Sequence, residues 1–237
     1  MTTTNVKAPE LNYDHYSTDK YDQDIINSIP FHKELHETLL AFIEHKFDAS
    51  KTYSILELGT GTGITSRIVK EALPKAEFDL VDFSRKMLSG ARKKMGTNNV
   101  QYIFGDYSKL TFTKKYDLIV SVIGIHHQNR KGKKALFRKI YSLLKPNGMF
   151  VFGDLVTHKN PQKAALNQAL HFHHLVEKAT DRKTLEEWAY HHYVLNDLAS
   201  IEEQIEWMRR VGFHVKTLLL KVNTALLVCK KTSKSGH

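Results

Sequence analysis

At 237 residues, 41% hydrophobic and 25% charged, the chain has ordinary globular composition and enough apolar residues for one α/β core with decorations. No apolar run approaches the roughly 18 residues of a membrane span. The opening MTTTNVKAPE lacks a basic start followed by an apolar stretch, and the single cysteine, Cys229, excludes an internal disulfide, so a cytoplasmic protein without a membrane partner is the expectation.

The net charge of +10 attracts anions and keeps nucleic acid in view as a partner. Its lysines and arginines are scattered, however: Arg85, Lys86, Arg92, Lys93 and Lys94, then Arg130, Lys131, Lys133 and Lys134. Solvated helix faces and an RNA-binding face both place such side chains outward, and spacing does not separate the two.

Residues 1–20 are polar, a lead that either stays loose or folds over a site. Residues 21–47 carry a helical pattern divided near Pro30, with Leu35, Leu39, Leu40, Phe42 and Ile43 on an apolar stripe. The period then changes. Tyr53–Leu58 reads as a buried parallel strand ending in glycines, and Ile64–Leu73 as a helix stopped before Pro74. Phe78–Val81 is a second strand. Ser84 is a natural N-cap and Gly96 a natural end for a helix over Arg85–Met95. Strands follow at Val100–Phe104 and Tyr116–Ile123, then a helix over Lys134–Leu144, a turn at Pro146-Asn147-Gly148 and a strand at Met149–Phe152. Residues 160–195 form a helical insertion, and Ile201–Val211 is a helix ended by Gly212. Phe213–Leu220 and Thr224–Cys229 close the chain as an antiparallel pair turning near Lys221–Asn223.

Strands alternating with helices at this spacing define an α/β fold: a Rossmann-like, doubly wound, seven-stranded sheet, mostly parallel with an antiparallel C-terminal strand. The organisation expected is one domain over 1–237. It has an N-terminal helical lid (1–47), a nucleotide-binding core (48–155), a helical cap insertion (156–200) and a closing helix and strand pair (201–230).

Ligands of open α/β sheets bind beyond the carboxyl ends of the strands. The first strand here runs into Glu57-Leu58-Gly59-Thr60-Gly61-Thr62-Gly63, and Asp82 ends the second, nineteen residues past Gly63. Glycines let the loop turn sharply and approach a ligand; a carboxylate at Asp82 can accept both hydroxyls of a ribose. The spacing fits neither the dinucleotide fingerprint G-x-G-x-x-G nor a phosphate-binding P-loop, which points to a nucleoside ligand without pyrophosphate. Gly105-Asp106-Tyr107 follows the third strand. Asp106 there either caps a helix or accepts from an adenine amino group, and Tyr107 can pack beside the ring.

The stretches ILELGTGTG, LVDFSRKML, FGDYSKL, YDLIVSVIGIHH and LLKPNGMFVFGDLV, with YD…IP at Tyr21–Pro30 and LASIEEQIEWMRRVGF, resemble the class I S-adenosylmethionine (SAM)-dependent methyltransferases over about residues 21–229. The branch is similar to small-molecule enzymes and to carboxy-SAM synthase-like proteins. The resemblance implies SAM as cofactor. It places Gly59, Thr60, Gly61 and Gly63 along the amino-acid and ribose portion, with Glu57 supporting the loop. Asp82 falls on the ribose, Phe83 and Met87 against the adenine, Asp106 and Tyr107 at its edge, and Val122 beside the methionine part. Three departures concern mainly the acceptor. Relatives often carry Arg where Ile25 and Ile26 stand, acidic residues where Gln128-Asn129-Arg130-Lys131 stand, and an aromatic pattern where Lys221–Leu226 stands.

Methyl transfer from a sulfonium is an in-line displacement, helped by alignment and water exclusion rather than by metal or covalent intermediates. A base is needed only for a protonated acceptor. His126 and His127 after the fourth strand, and Asp154 at the end of the fifth, are the catalytic candidates; packing and capping are their structural alternatives. Tyr13, Tyr16 and Tyr21 are lid candidates, and Tyr16, Tyr21, His174 and His192 are taken for the acceptor site. The clusters His171/His173/His174 and His191/His192 lack cysteine or HExxH support, so no metal is expected.

The strand-four end, Ser121-Val122-Ile123-Gly124, does not resemble the [ND]-P-P-[YF] motif of exocyclic-amine DNA methyltransferases. Cys229 stands too late in the chain for a cytosine C5 nucleophile. A small-molecule methyltransferase, monomeric or homodimeric, is the leading reading. A transfer-RNA wobble-uridine modification enzyme is second, with RNA as a less favoured partner, and a non-enzymatic binding module is third.

Overall fold

The computed structural model describes Tyr13 and residues 17–232. Tyr16 and most of the polar lead lie outside the described residues. Helices α1 (Thr18–Ser28) and α2 (His32–Lys46) precede the sheet. The alternating core is β1 (Ser54–Leu58), α3 (Ile64–Ala72), β2 (Glu77–Asp82), α4 (Arg85–Met95), β3 (Val100–Phe104), β4 (Tyr116–Val122), α5 (Arg130–Leu143) and β5 (Leu144–Leu155). The cap is α6 (Pro161–Lys178) and α7 (Arg182–Tyr190); α8 (Ile201–Val211), β6 (Phe213–Lys221) and β7 (Thr224–Lys231) close the chain.

The seven strands lie in the order β3-β2-β1-β4-β5-β7-β6. All neighbours are parallel except β7, which runs antiparallel to both β5 and β6. The strand order reverses between β1 and β4, which opens a crevice at their carboxyl ends. Strand side chains alternate between two cores. Leu56, Leu58, Phe150 and Phe152 pack with α5 and α8 on one face, through Phe137, Ile140, Trp207 and Met208. Ile55, Val151 and Leu118 pack on the other against Leu35, Leu39 and Ile43 of α2.

Several boundaries differ from the sequence reading for identifiable reasons. Helix α5 starts at Arg130 rather than Lys134, because the Asn129 side chain accepts from the Gly132 amide as an N-cap. Strand β5 starts at Leu144; the expected Pro146–Gly148 turn is absorbed as a register shift against β4, with Asn147 left-handed (φ 62°). The insertion ends in a π-helical turn over His191–Leu195. Lys133, read as an outward basic residue, is 1% exposed. No helix among the described residues is long and apolar enough to cross a membrane.

Candidate functional site

The glycine loop leaves β1 with Gly59, Gly61 and Gly63 all at positive φ (73°, 56° and 84°), where L side chains are strained. At Gly63 a β-carbon would also lie 3.1 Å from the backbone of Ala91, so the glycine lets α3 and α4 approach. The Asp82 carboxylate faces this loop. The Gly61 amide donates to Oδ2 at 2.8 Å and the Ser84 amide to Oδ1 at 2.9 Å, which fixes the acid at the rim between β1 and β2. Glu57 lies beneath, bonded by the Ser66 hydroxyl, and burial pushes its carboxyl up to about 8.

Helix α1 is clamped over the loop. Asp22 takes the Thr62 hydroxyl and the Lys94 ammonium, and the Tyr21 ring covers Gly61, its Cε1 3.7 Å from where a β-carbon would stand. A cavity below the loop is lined by Glu57, Gly59, Thr60, Gly61 and Val122 together with His32. The Thr60 hydroxyl is buried there with no hydrogen-bond partner among the described residues, a polar atom suited to a ligand.

The remaining rim candidates divide. Phe83 is 39% exposed and its ring lies 5.7 Å from that of Tyr13, so it presents a surface. Met87 is 1% exposed, and Ser84 caps α4 by accepting the Met87 amide. Tyr107 is wedged against Gly59 and donates to the Gly124 carbonyl at 3.1 Å. Asp106 caps its own turn through the Ser108 amide (2.8 Å) and hydroxyl (2.6 Å).

A second cavity lies between the sheet and the cap. Tyr21, Ile25 and Ile123 line both cavities and form the wall between them. Ile123 has φ 53°, unusual for a β-branched residue and a strain of about 1–3 kcal/mol. The short 3₁₀ turn Ile125–His127 follows. His126 is 2% exposed and its Nδ1 meets Asp154 Oδ1 at 2.5 Å; the Leu155 amide donates to the same oxygen at 2.9 Å. Burial, first, holds His126 well below the ordinary histidine range and pushes Asp154 up to about 7. His127 is held down by burial, then by His126 and His191. The turn is anchored by Lys133, whose ammonium donates to the carbonyls of His126 (3.2 Å), Gln128 and Asp197 (2.6 Å).

The cap supplies His191 and His192, both pushed down to about 4 by burial, and Glu187. His192 lines the cavity as expected. His174 does not; its Nε2 bonds the Asn27 carbonyl at 2.7 Å and ties the cap to α1, while His171 takes the place on the wall. The Tyr13 hydroxyl meets His127 Nε2 at 3.0 Å. The sequence reading missed His32, Ile123, Asp24 and Glu187: His32 and Glu187 lie far along the chain from the residues they join, while Ile123 beside Val122 and Asp24 beside Ile25 carry no local motif that marks them.

This crevice, with its glycine rim, resembles that of the class I SAM-dependent methyltransferases. Residues 55–148 match the family described as "Methyltransferase domain". The chain is 36% identical over 121 residues to malonyl-[acyl-carrier protein] O-methyltransferase 2 of Ilyobacter polytropus, covering 51% of this chain and 45% of that protein. It thus spans about half the length of the curated relatives it matches. Among solved structures, an O-methyltransferase family protein from Burkholderia thailandensis shares the fold over 92% of this chain and 61% of its own (TM-score 0.65, 13% identity). The plantazolicin methyltransferase BpumL, in complex with a triazolic desmethylPZN analog and SAH, shares it over 90% of both chains (TM-score 0.66, 15% identity).

Proposed function

We propose that this protein transfers a methyl group from SAM to a small-molecule acceptor held in the capped cavity. The observation that carries the reading is the wall of Tyr21, Ile25 and Ile123 common to the glycine-rim cavity and the histidine-lined one, which sets a donor site directly against an acceptor site. When bound, SAM supplies a methyl carbon on a positively charged sulfur, which keeps the bonding pair as the acceptor's lone pair forms the new bond. Asp82 and the glycine loop would hold its sugar, and the partnerless Thr60 hydroxyl would bond it. His32, pushed down to about 3 by burial, stands in the donor cavity as a neutral donor for a carboxylate, the part that Ile25 and Ile26 leave unserved.

On the acceptor side, His126 with Asp154 behind it, and His127, orient the acceptor's lone pair and take its proton where it has one. The cap and α1 exclude water. Asp24 and Glu187 on the cavity wall favour a neutral or basic acceptor and repel phosphate, which opposes an RNA substrate despite the charge of +10. Calorimetry with SAM, followed by labelled methyl transfer into a cell extract with and without ribonuclease, tests both points. Label in small metabolites is expected. Label lost with ribonuclease, in a reaction that weakens steeply with salt, would establish the RNA reading instead, and absence of SAM binding would refute both.

A further inference from the structure

We propose that His126, His127 and His191 bind one divalent transition-metal ion of the zinc–cobalt–nickel type at the inner end of the acceptor cavity. One ring nitrogen of each lies within 4.8 Å of the others, although the residues come from two elements far apart in sequence, the turn after β4 and the π-helical turn of the cap. The rings are in contact, with centroids 4.0 Å apart for His126–His127 and 5.2 Å for His127–His191. Three imidazoles suit borderline ions of this type and leave a coordination position for a further ligand.

The surroundings are those of a built site. Asp154 occupies Nδ1 of His126, so Nε2 is left to ligate; a carboxylate behind a histidine in this way fixes its tautomer and raises its basicity. His127 is 7% exposed; its Nε2 meets the Tyr13 hydroxyl, and its buried Nδ1 has no hydrogen-bond partner among the described residues. The carboxylates Asp24 and Glu187 on the same cavity wall favour a cation. Nearby His171 does not belong to the site, because its Nε2 bonds the Ser28 carbonyl and its Nδ1 the Asn223 amide. A π-helical turn is a frequent mark of a functional position, and here it is the element that brings His191 inward.

The ion's place in catalysis rests on the methyl-transfer reading. With the ion bound, His126 and His127 would serve as its ligands in place of taking the acceptor's proton: an acceptor oxygen, nitrogen or sulfur in the open position would be held beside the Ile123 wall, acidified by the metal, and would lose its proton to water. Binding itself does not depend on that reading. The test is titration of the chelator-treated full chain with Co²⁺, read by visible d–d absorption, and with Zn²⁺, read by calorimetry, with SAM calorimetry alongside. One ion per chain is expected. His191→Ala and His127→Ala should each weaken metal binding at least about tenfold, and Asp154→Asn about 10–100-fold. His214→Ala, at an exposed histidine on β6, should change nothing. His191→Gln repeats the test if the alanine variant does not fold. No stoichiometric ion in the wild-type chain, or unchanged binding in the folded His191 variant, overturns the proposal. Metal binding without SAM binding would leave the site standing and remove the methyltransferase role.

Discussion

The glycine rim and the capped cavity share Tyr21, Ile25 and Ile123, yet they are assembled from different kinds of sequence. The rim is local. Residues 57–63 form one loop, and Asp82 reaches it from the adjacent strand through amides of Gly61 and Ser84. The cavity is composite: α1 supplies Tyr21 and Ile25, the turn after β4 supplies His126 and His127, and the cap supplies His191 and His192. A local site depends on backbone geometry that few residue types satisfy. A composite site depends on packing that many sequences satisfy, and it is free to change its chemistry. The two halves should therefore fail differently when altered.

The largest separation is expected from His126→Ala. It should lower kcat by about 10²–10⁴-fold while SAM affinity, by calorimetry, stays within about twofold; a parallel loss of SAM binding would show that the cavities are not independent. Next, Asp82→Ala should weaken SAM binding by about tenfold or more, or roughly 1.4 kcal/mol, with the acceptor KM little changed. Unchanged SAM affinity would refute its contact with the ribose. Gly63→Ala should cost about 1–2 kcal/mol of stability from the left-handed backbone, with an added penalty from Ala91, read as a lower urea midpoint; an unchanged midpoint would show that the loop relaxes.

The smallest effect is in pH dependence. Glu57 holds its proton more tightly folded than unfolded, so the stabilisation of its neutral form is complete below pH 4.5 and is lost as pH rises through about 8. Urea midpoints for wild type should fall across that window. Glu57→Gln should flatten this part of the profile, and identical profiles would show that the carboxyl is not buried neutral.

Much of the fold was legible because its signals are local. Helix α4 was read with its observed bounds from Ser84 and Gly96, as was α8 before Gly212, and each cap acts within its own turn. The Asn129 cap of α5 was overlooked, though the signal was present. Met87 is 1% exposed, and family position says nothing of which way a first-turn side chain packs. His174 and His171 share a helix face, and only the packing of α6 against α1 and the β6–β7 turn decided that His171 reaches the cavity.

By itself the sequence determined the order of strands and helices and the glycine loop with its acid, because hydrophobic periodicity, capping and backbone freedom act over a few residues. Only the tertiary structure decided that Tyr13, His126, His127 and His191 meet, that Lys133 is an interior anchor rather than a surface charge, and that Ile123 is held at positive φ between two cavities. Those outcomes depend on where the cap lands on the sheet, a balance of many weak packing contacts across more than sixty residues of chain that no short pattern encodes.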